Sequence, residues 1–351
     1  MLYKSQNPHG GDIYGGQVKL DFSANTNPFG TPKGVLDAVQ AALPQMHRYP
    51  DPYCRKLVKA ISQHEYVPES YILCGNGAAD LIYAYCEAVH PKTAGILAPT
   101  FSEYALALGK IGCSPWQYVL NEENGFAITE DFLSWIRENR PEAVFLCNPN
   151  NPTGTLMDEK LMERIIDTTR ELKIHLFVDE CFLDLSQGGK SVRSRLKENH
   201  QLFLLKAFTK SYGMAGIRLG YCLSGNEKLL SAMAKASQPW NVSTLAQAAG
   251  VAALEEVDFL RKTREMVFSQ REIMKAQLKT LGFRVSDSRA NYILFRGPLG
   301  LREKLEEKKI AIRSCANYAG LGEDYYRVAV RLPEENRTLM DAIRECLKEG
   351  D

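Results

Sequence analysis

Short apolar runs recur along the first two thirds of the chain, each bounded by polar or turn-forming residues. Tyr71–Cys74, Ala94–Ala98, Ala143–Cys147, His175–Val178, Leu202–Leu205 and Leu219–Leu223 are apolar over nearly their whole length. Such unbroken runs predict strands buried on both faces, as in a parallel sheet covered by helices. Amphipathic stretches such as Asp158–Leu172 separate them and predict helices. Strands alternating with helices predict an α/β layered domain with a mostly parallel central sheet. From about Ser243 the pattern is helical through Lys279, and beyond it strands expected at Arg289–Arg296 and Tyr326–Arg331 mark a smaller α+β unit. No repeat, low-complexity tract or flexible linker separates the units, so they are expected to pack tightly.

Composition narrows the classes of function. The 351 residues are 45% hydrophobic and 24% charged, enough to bury a large core. A formal net charge of +1 gives no reason to expect nucleic acid as a partner. No apolar run approaches the ~18 residues needed to span a bilayer, and the N-terminus lacks the pattern of a secretion signal. The expected setting is the cytoplasm, with no membrane partner. Nine cysteines at 54, 74, 86, 113, 147, 181, 222, 315 and 346 form no C-x-x-C pair and fall in apolar patterns, which predicts buried free thiols. Six histidines show no ligand spacing, so no metal site is expected.

In open α/β sheets ligands collect beyond the carboxyl ends of the strands. After the first run comes Gly75-Asn76-Gly77-Ala78-Ala79-Asp80, leading into a helix whose first N–H groups could hold an anion. After the second, Phe101 offers an aromatic face, although core packing is the commoner fate of a phenylalanine. After the third, Asn148-Pro149-Asn150-Asn151-Pro152-Thr153-Gly154 makes a rigid loop able to aim an amide. After the fourth stands Asp179, which, if buried, needs a cation or a donor. Phe208–Gly220 then sets Lys210 and Arg218 in a glycine-containing loop, where a neighbouring cation or burial could free the lysine amine to attack an aldehyde. Any one of these residues alone is more simply read as a cap, a surface charge or core.

Taken in order, Asn151-Pro152-Thr153-Gly154, Asp179-Glu180, Lys210 and Arg218 resemble the fold-type I, pyridoxal-phosphate-dependent aminotransferase family over essentially the whole chain. The resemblance implies pyridoxal 5'-phosphate as cofactor, joined to Lys210 through an imine. It implies that Asp179 pairs with the pyridine nitrogen, Asn151 bonds the ring 3-oxygen and Phe101 stacks on the ring. The phosphate would be held by Gly77, Ala78, Thr209, Arg218 and, from the second subunit of a homodimer, Tyr49. It also implies three segments: residues 1–40 joining the small unit, 41–250 forming the large cofactor domain, and 251–351 forming the small domain behind a linking helix. Two departures stand out. Ala207 replaces a hydroxyl residue that many relatives carry three positions before the lysine, and Phe182 replaces a tyrosine of the histidinol-phosphate aminotransferases.

Substrate choice must come from outside that shared core. If Tyr326–Arg331 is a strand, period two puts Arg327 and Arg331 on one face with Ala329 between them. With Arg313 they suggest a substrate with two anionic ends, although a charged strand edge is an ordinary solubility device. His9-Gly10-Gly11, Phe182 and the Arg313–Tyr318 run together resemble the branch of the family that decarboxylates O-phosphothreonine more closely than the branch that transaminates histidinol phosphate. That resemblance implies Arg327 on the substrate carboxylate, His9 and Arg313 on its phosphate, Arg331 as a further contributor, and Asn27 and Gly30 at the entrance. Histidinol-phosphate aminotransferase, and a non-catalytic cofactor-sensing domain, remain the alternatives.

Overall fold

The computed structural model describes residues 9–348; the first eight positions of the expected 1–40 segment and the last three of 251–351 lie outside the described residues. A seven-stranded sheet runs in the order Ile72–Gly75, Gly220–Ser224, Leu202–Ala207, His175–Asp179, Ala143–Cys147, Ala94–Ala98, Trp116–Val119. Only Gly220–Ser224 runs against its neighbours. The fold is therefore α/β with a mostly parallel sheet, as the alternation of runs and helices predicted. The inner strands carry no exposed side chains, which is why their sequences are apolar rather than alternating. Phe145, Phe177 and Phe203 stack across neighbouring strands at 4.9 Å between ring centres. Each such pair contributes roughly 0.5–1.5 kcal/mol beyond its burial.

The expected helix at Asp158–Leu172 is found at Glu159–Glu171, with Asp158 as its cap: its carboxylate accepts from Leu161 N. The helical pattern after Ser243 resolves into Thr244–Glu255 and the long Val257–Thr280. A second, four-stranded antiparallel sheet is ordered Arg313–Ser314, Tyr325–Ala329, Tyr292–Arg296, Arg284–Val285 and shares one hydrophobic core with Val257–Thr280 and Pro333–Lys348. Near the N-terminus, Leu20–Asp21 pairs in parallel with Ile310–Ala311, so chain separated by nearly the whole sequence is joined in one small sheet. All nine cysteines are buried and unbridged. No helix among the described residues is long and apolar enough to cross a membrane.

The strand expected at Arg289–Arg296 begins only at Tyr292, and the one expected at Tyr326–Arg331 is displaced. Tyr325–Ala329 ends before Arg331, whose N–H donates to Asn336 Oδ1 as the chain turns into Pro333–Lys348. Period two therefore does not extend to Arg331. The cross-strand partner of Arg327 is Arg313, directly opposite it.

Candidate active site

Lys210 lies in a four-residue helical turn, Phe208–Ser211, which leaves the end of Leu202–Ala207. Asn27 holds that turn: its backbone N–H donates to Lys210 O at 3.0 Å, and its side-chain Nδ2 donates to Ser211 O at 2.8 Å and Thr263 Oγ1 at 2.9 Å. The Lys210 ammonium sits 5.7 Å from the centre of the Phe182 ring. Burial, with the Arg327 and Arg218 guanidiniums, lowers its pKa to about 8, against the opposing pull of Cys181 and Asp179. A lysine in that range holds a larger neutral fraction near physiological pH than a free lysine does.

Asp179 ends its strand with its side chain buried. Tyr104 Oη donates to Oδ2 at 2.6 Å and Cys181 N donates to Oδ1 at 2.9 Å. Burial pushes the carboxyl up, and the Cys181 and Tyr104 donors offset part of that rise. Among the described residues Asp179 has no ion-pair partner within salt-bridge distance. A protonated ring nitrogen would supply the missing cation.

The glycine turn is built for close approach. Gly77 has φ +85°, and a Cβ there would lie 2.7 Å from Arg218 Nη2. Behind it Ala78–Val89 starts with no side-chain cap, leaving first-turn N–H groups for an anion beside the Arg218 guanidinium. Anion cradle, buried carboxylate and lysine together fit pyridoxal phosphate: Gly77, Ala78, Thr209 and Arg218 for the phosphate, Asp179 for the ring nitrogen, Lys210 for the aldehyde.

On the opposite side stand Arg313 and Arg327. Like charges directly opposite on neighbouring strands are unfavourable unless something offsets them. Arg327 is buried; Nη1 donates to Asn151 Oδ1 at 2.5 Å and Nη2 to Ser23 O at 2.8 Å, while Nε has no protein partner among the described residues. Because the Asn151 oxygen is taken, its amide nitrogen is the end left to donate to a ligand. His9 approaches over Ser23: a Cβ on Gly10 would lie 2.2 Å from Ser23 O, so only glycine permits this crossing. Its Nε2 lies 2.6 Å from Glu103 Oε1, and its ring is 5.6 Å from Phe101.

One cavity of about 190 Å³ is lined by His9, Ala78, Phe101, Asn151, Asp179, Thr209, Lys210, Arg218, Arg313 and Arg327, so most of the residues expected from sequence converge. The other expected residues lie elsewhere. Arg331 is outside the cavity, ion-paired with Glu335 at 3.0 Å, because its strand has already ended. Asn27 and Gly30 do not line the cavity; Asn27 braces the lysine turn, and Gly30 lies against Gly213, where a Cβ would meet Gly30 O at 2.4 Å. Tyr49 is 79% exposed, stacked on Trp240 at 4.5 Å, and is absent from the lining of this cavity. The lining also includes Ser23, Asn25 and Cys181, to which the sequence reading gave no role, and Tyr318, which it named only as the end of the Arg313–Tyr318 run. Asn25 lies in a loop of mixed polar and apolar residues and Tyr318 in a turn, so neither has a periodicity to mark it.

The chain is similar to known proteins over most of their length. The threonine-phosphate decarboxylase of Salmonella typhimurium is 36% identical, covering 93% of this chain and 91% of its own. The histidinol-phosphate aminotransferase of Desulfitobacterium hafniense is 32% identical, covering 94% of this chain and 92% of its own. The crystal structure of the histidinol-phosphate aminotransferase from Clostridium acetobutylicum superposes with a TM-score of 0.88 at 27% identity, covering 94% of this chain and 99% of that one. Residues 17–343 match the aminotransferase class I and II family, and the chain belongs to it.

Proposed function

We propose that this protein is a pyridoxal-phosphate-dependent lyase that decarboxylates O-phospho-L-threonine to (R)-1-amino-2-propanol O-phosphate, a step of cobalamin biosynthesis in the cytoplasm. The observation that carries the reading is the make-up of the cavity: His9, Lys210, Arg218, Arg313 and Arg327 face Asp179, the only carboxylate among the described lining residues. One cationic group serves the cofactor phosphate and one lysine its aldehyde, which leaves two arginines and a histidine for a substrate with two anions. O-phosphothreonine carries a carboxylate and a phosphate on a short frame. The similarity to the Salmonella typhimurium decarboxylase supports the same choice.

The cofactor, when bound, supplies a sink for the electron pair left by the departing carboxylate. In this reading Asp179 keeps the ring nitrogen protonated, and the Asn151 amide donates to the ring oxygen. Arg327 binds the substrate carboxylate and turns it toward the position from which it leaves. Arg313 and His9 hold the substrate phosphate, with Glu103 fixing the His9 ring. Loss of carbon dioxide replaces a carbon–carboxylate bond by a carbon–hydrogen bond, so one proton must reach Cα; Lys210 Nζ donates it. Tyr49, which does not line the cavity of its own chain, serves the cofactor phosphate of a second copy in a homodimer. The runner-up is transamination of histidinol phosphate, supported by the Desulfitobacterium hafniense and Clostridium acetobutylicum relatives.

The two readings separate in parallel assays on the cofactor-loaded protein. Histidinol phosphate with 2-oxoglutarate should yield no more glutamate than the uncatalysed control, while O-phosphothreonine is consumed without any keto acid. Steady glutamate formation with O-phosphothreonine untouched would replace the decarboxylase reading by the aminotransferase one.

A further inference from the structure

Tyr318 lines the cavity and is only 5% exposed. It closes the turn after Arg313–Ser314: its N–H donates to Cys315 O at 3.0 Å and its carbonyl accepts from Leu321 N at 3.1 Å. The turn lays its ring 5.5 Å from the Arg313 guanidinium and brings its hydroxyl within 3.5 Å of Arg327 Nη1. A guanidinium only donates, so the phenol oxygen beside Arg327 can only accept from it. The phenol's own proton then needs an acceptor elsewhere, and the described residues provide none. Leaving a buried donor unmade is costly. Burial raises the Tyr318 phenol above its ordinary value, with Arg327 and Arg313 pulling the other way, so it keeps that proton at neutral pH.

An anionic oxygen brought by a ligand would supply that acceptor. We propose that Tyr318 donates a hydrogen bond to the substrate carboxylate held by Arg327, and so fixes the orientation of that carboxylate and the spacing of the two anionic ends the cavity accepts. The proposal rests on the reading of Arg327 as the carboxylate site. Its geometry explains why two arginines can face each other across Arg313↔Arg327: the tyrosine ring screens one guanidinium and its hydroxyl contacts the other.

Binding, rather than turnover, tests it. Cofactor-loaded enzyme is reduced with borohydride so that it cannot turn over, and dissociation constants are measured for O-phosphothreonine and for 1-amino-2-propanol O-phosphate, which differ only by the carboxylate. Tyr318→Phe should weaken the first about tenfold, the loss of one hydrogen bond to a charged group, and change the second less than twofold. An unchanged second constant also shows that the variant's site is intact. Equal weakening of both ligands, no change in either, or wild-type enzyme that does not distinguish them would overturn the proposal. Carbon dioxide release by unreduced wild-type enzyme is scored separately. Tyr318-dependent binding without that release would leave this assignment standing and remove the decarboxylase reading.

Discussion

At the scale of single residues, the site depends on charges moved from their ordinary values by burial. Lys210 is the clearest case, with its amine brought from near 10.5 to about 8 by burial and by Arg327 and Arg218. The neutral amine is the form that attacks an aldehyde, so its fraction rises as pH rises through the pKa. Covalent capture of pyridoxal phosphate by the cofactor-free protein, trapped with borohydride at early times, should accordingly increase with pH and reach half its maximum near pH 8. A midpoint near that of a free lysine would contradict the account. The same residues show where sequence reading stops. Lys210, Asp179 and Asn151 stand at strand ends or in a proline-rich loop, where local pattern and family resemblance coincide. Tyr318 and Ser23 enter through tertiary contacts, a ring folded back on Arg313 and a carbonyl offered to Arg327, which leave no spacing in the chain.

At the scale of elements, the strand that leads into the Lys210 turn is anchored by a buried ionic cluster around Lys206, near its end. Lys206 pairs with Glu65 at 2.9 Å and lies 3.9 Å from Glu180 and 3.7 Å from Asp184; Asp184 in turn accepts from Ser211 Oγ at 3.0 Å. The residues next to Asp179 and Lys210 are thus tied together beneath the cavity. Removing one member of a buried pair leaves an uncompensated charge, so Lys206→Met should cost about 3–5 kcal/mol in urea unfolding. A loss under about 1 kcal/mol would show that the cluster does not hold the strand. The pH dependence has a definite sign. Burial opposes the charged form of Lys206, but Asp184, Glu65 and Glu180 raise its pKa above 10.5, so its contribution is full below that value and fades as pH rises past the folded pKa. Burial alone would raise Glu65, yet Lys206, Tyr221 and Arg193 hold it below its ordinary value; its contribution is full above that value and fades as pH falls through the folded pKa.

Elements were legible in proportion to their burial. Ala94–Ala98 and Ala143–Cys147 have the bounds read from the sequence because both faces are covered and every position is apolar. Trp116–Val119 was missed: it is the edge of the sheet, largely exposed, and its sequence does not form an apolar run. The strand expected at Tyr326–Arg331 was displaced by a different cause. The turn into Pro333–Lys348 ends the ladder at Ala329, so the face shared by Arg327 and Arg331 gives way to the cross-strand pair Arg313 and Arg327.

At the scale of the whole molecule, Tyr49 and Trp240 form a stacked, exposed aromatic pair, with Met46 and Tyr53 also exposed nearby in sequence. In the proposed homodimer Tyr49 completes the partner's cofactor site, so each site draws on two chains. Coexpressed Lys210→Ala and Tyr49→Ala chains should then recover about a quarter of wild-type activity, because half the dimers are mixed and each mixed dimer has one intact site. No recovery, with both variants folded and dimeric, would mean that Tyr49 serves its own chain, and a Tyr49→Ala variant fully active by itself would mean that it serves no site. The central claim is the bond that breaks. With O-phospho-L-threonine labelled at its carboxyl carbon and no keto acid present, the cofactor-loaded protein should release labelled carbon dioxide in one-to-one ratio with 1-amino-2-propanol O-phosphate; retention of the label in the amino acid or in a keto acid would contradict it.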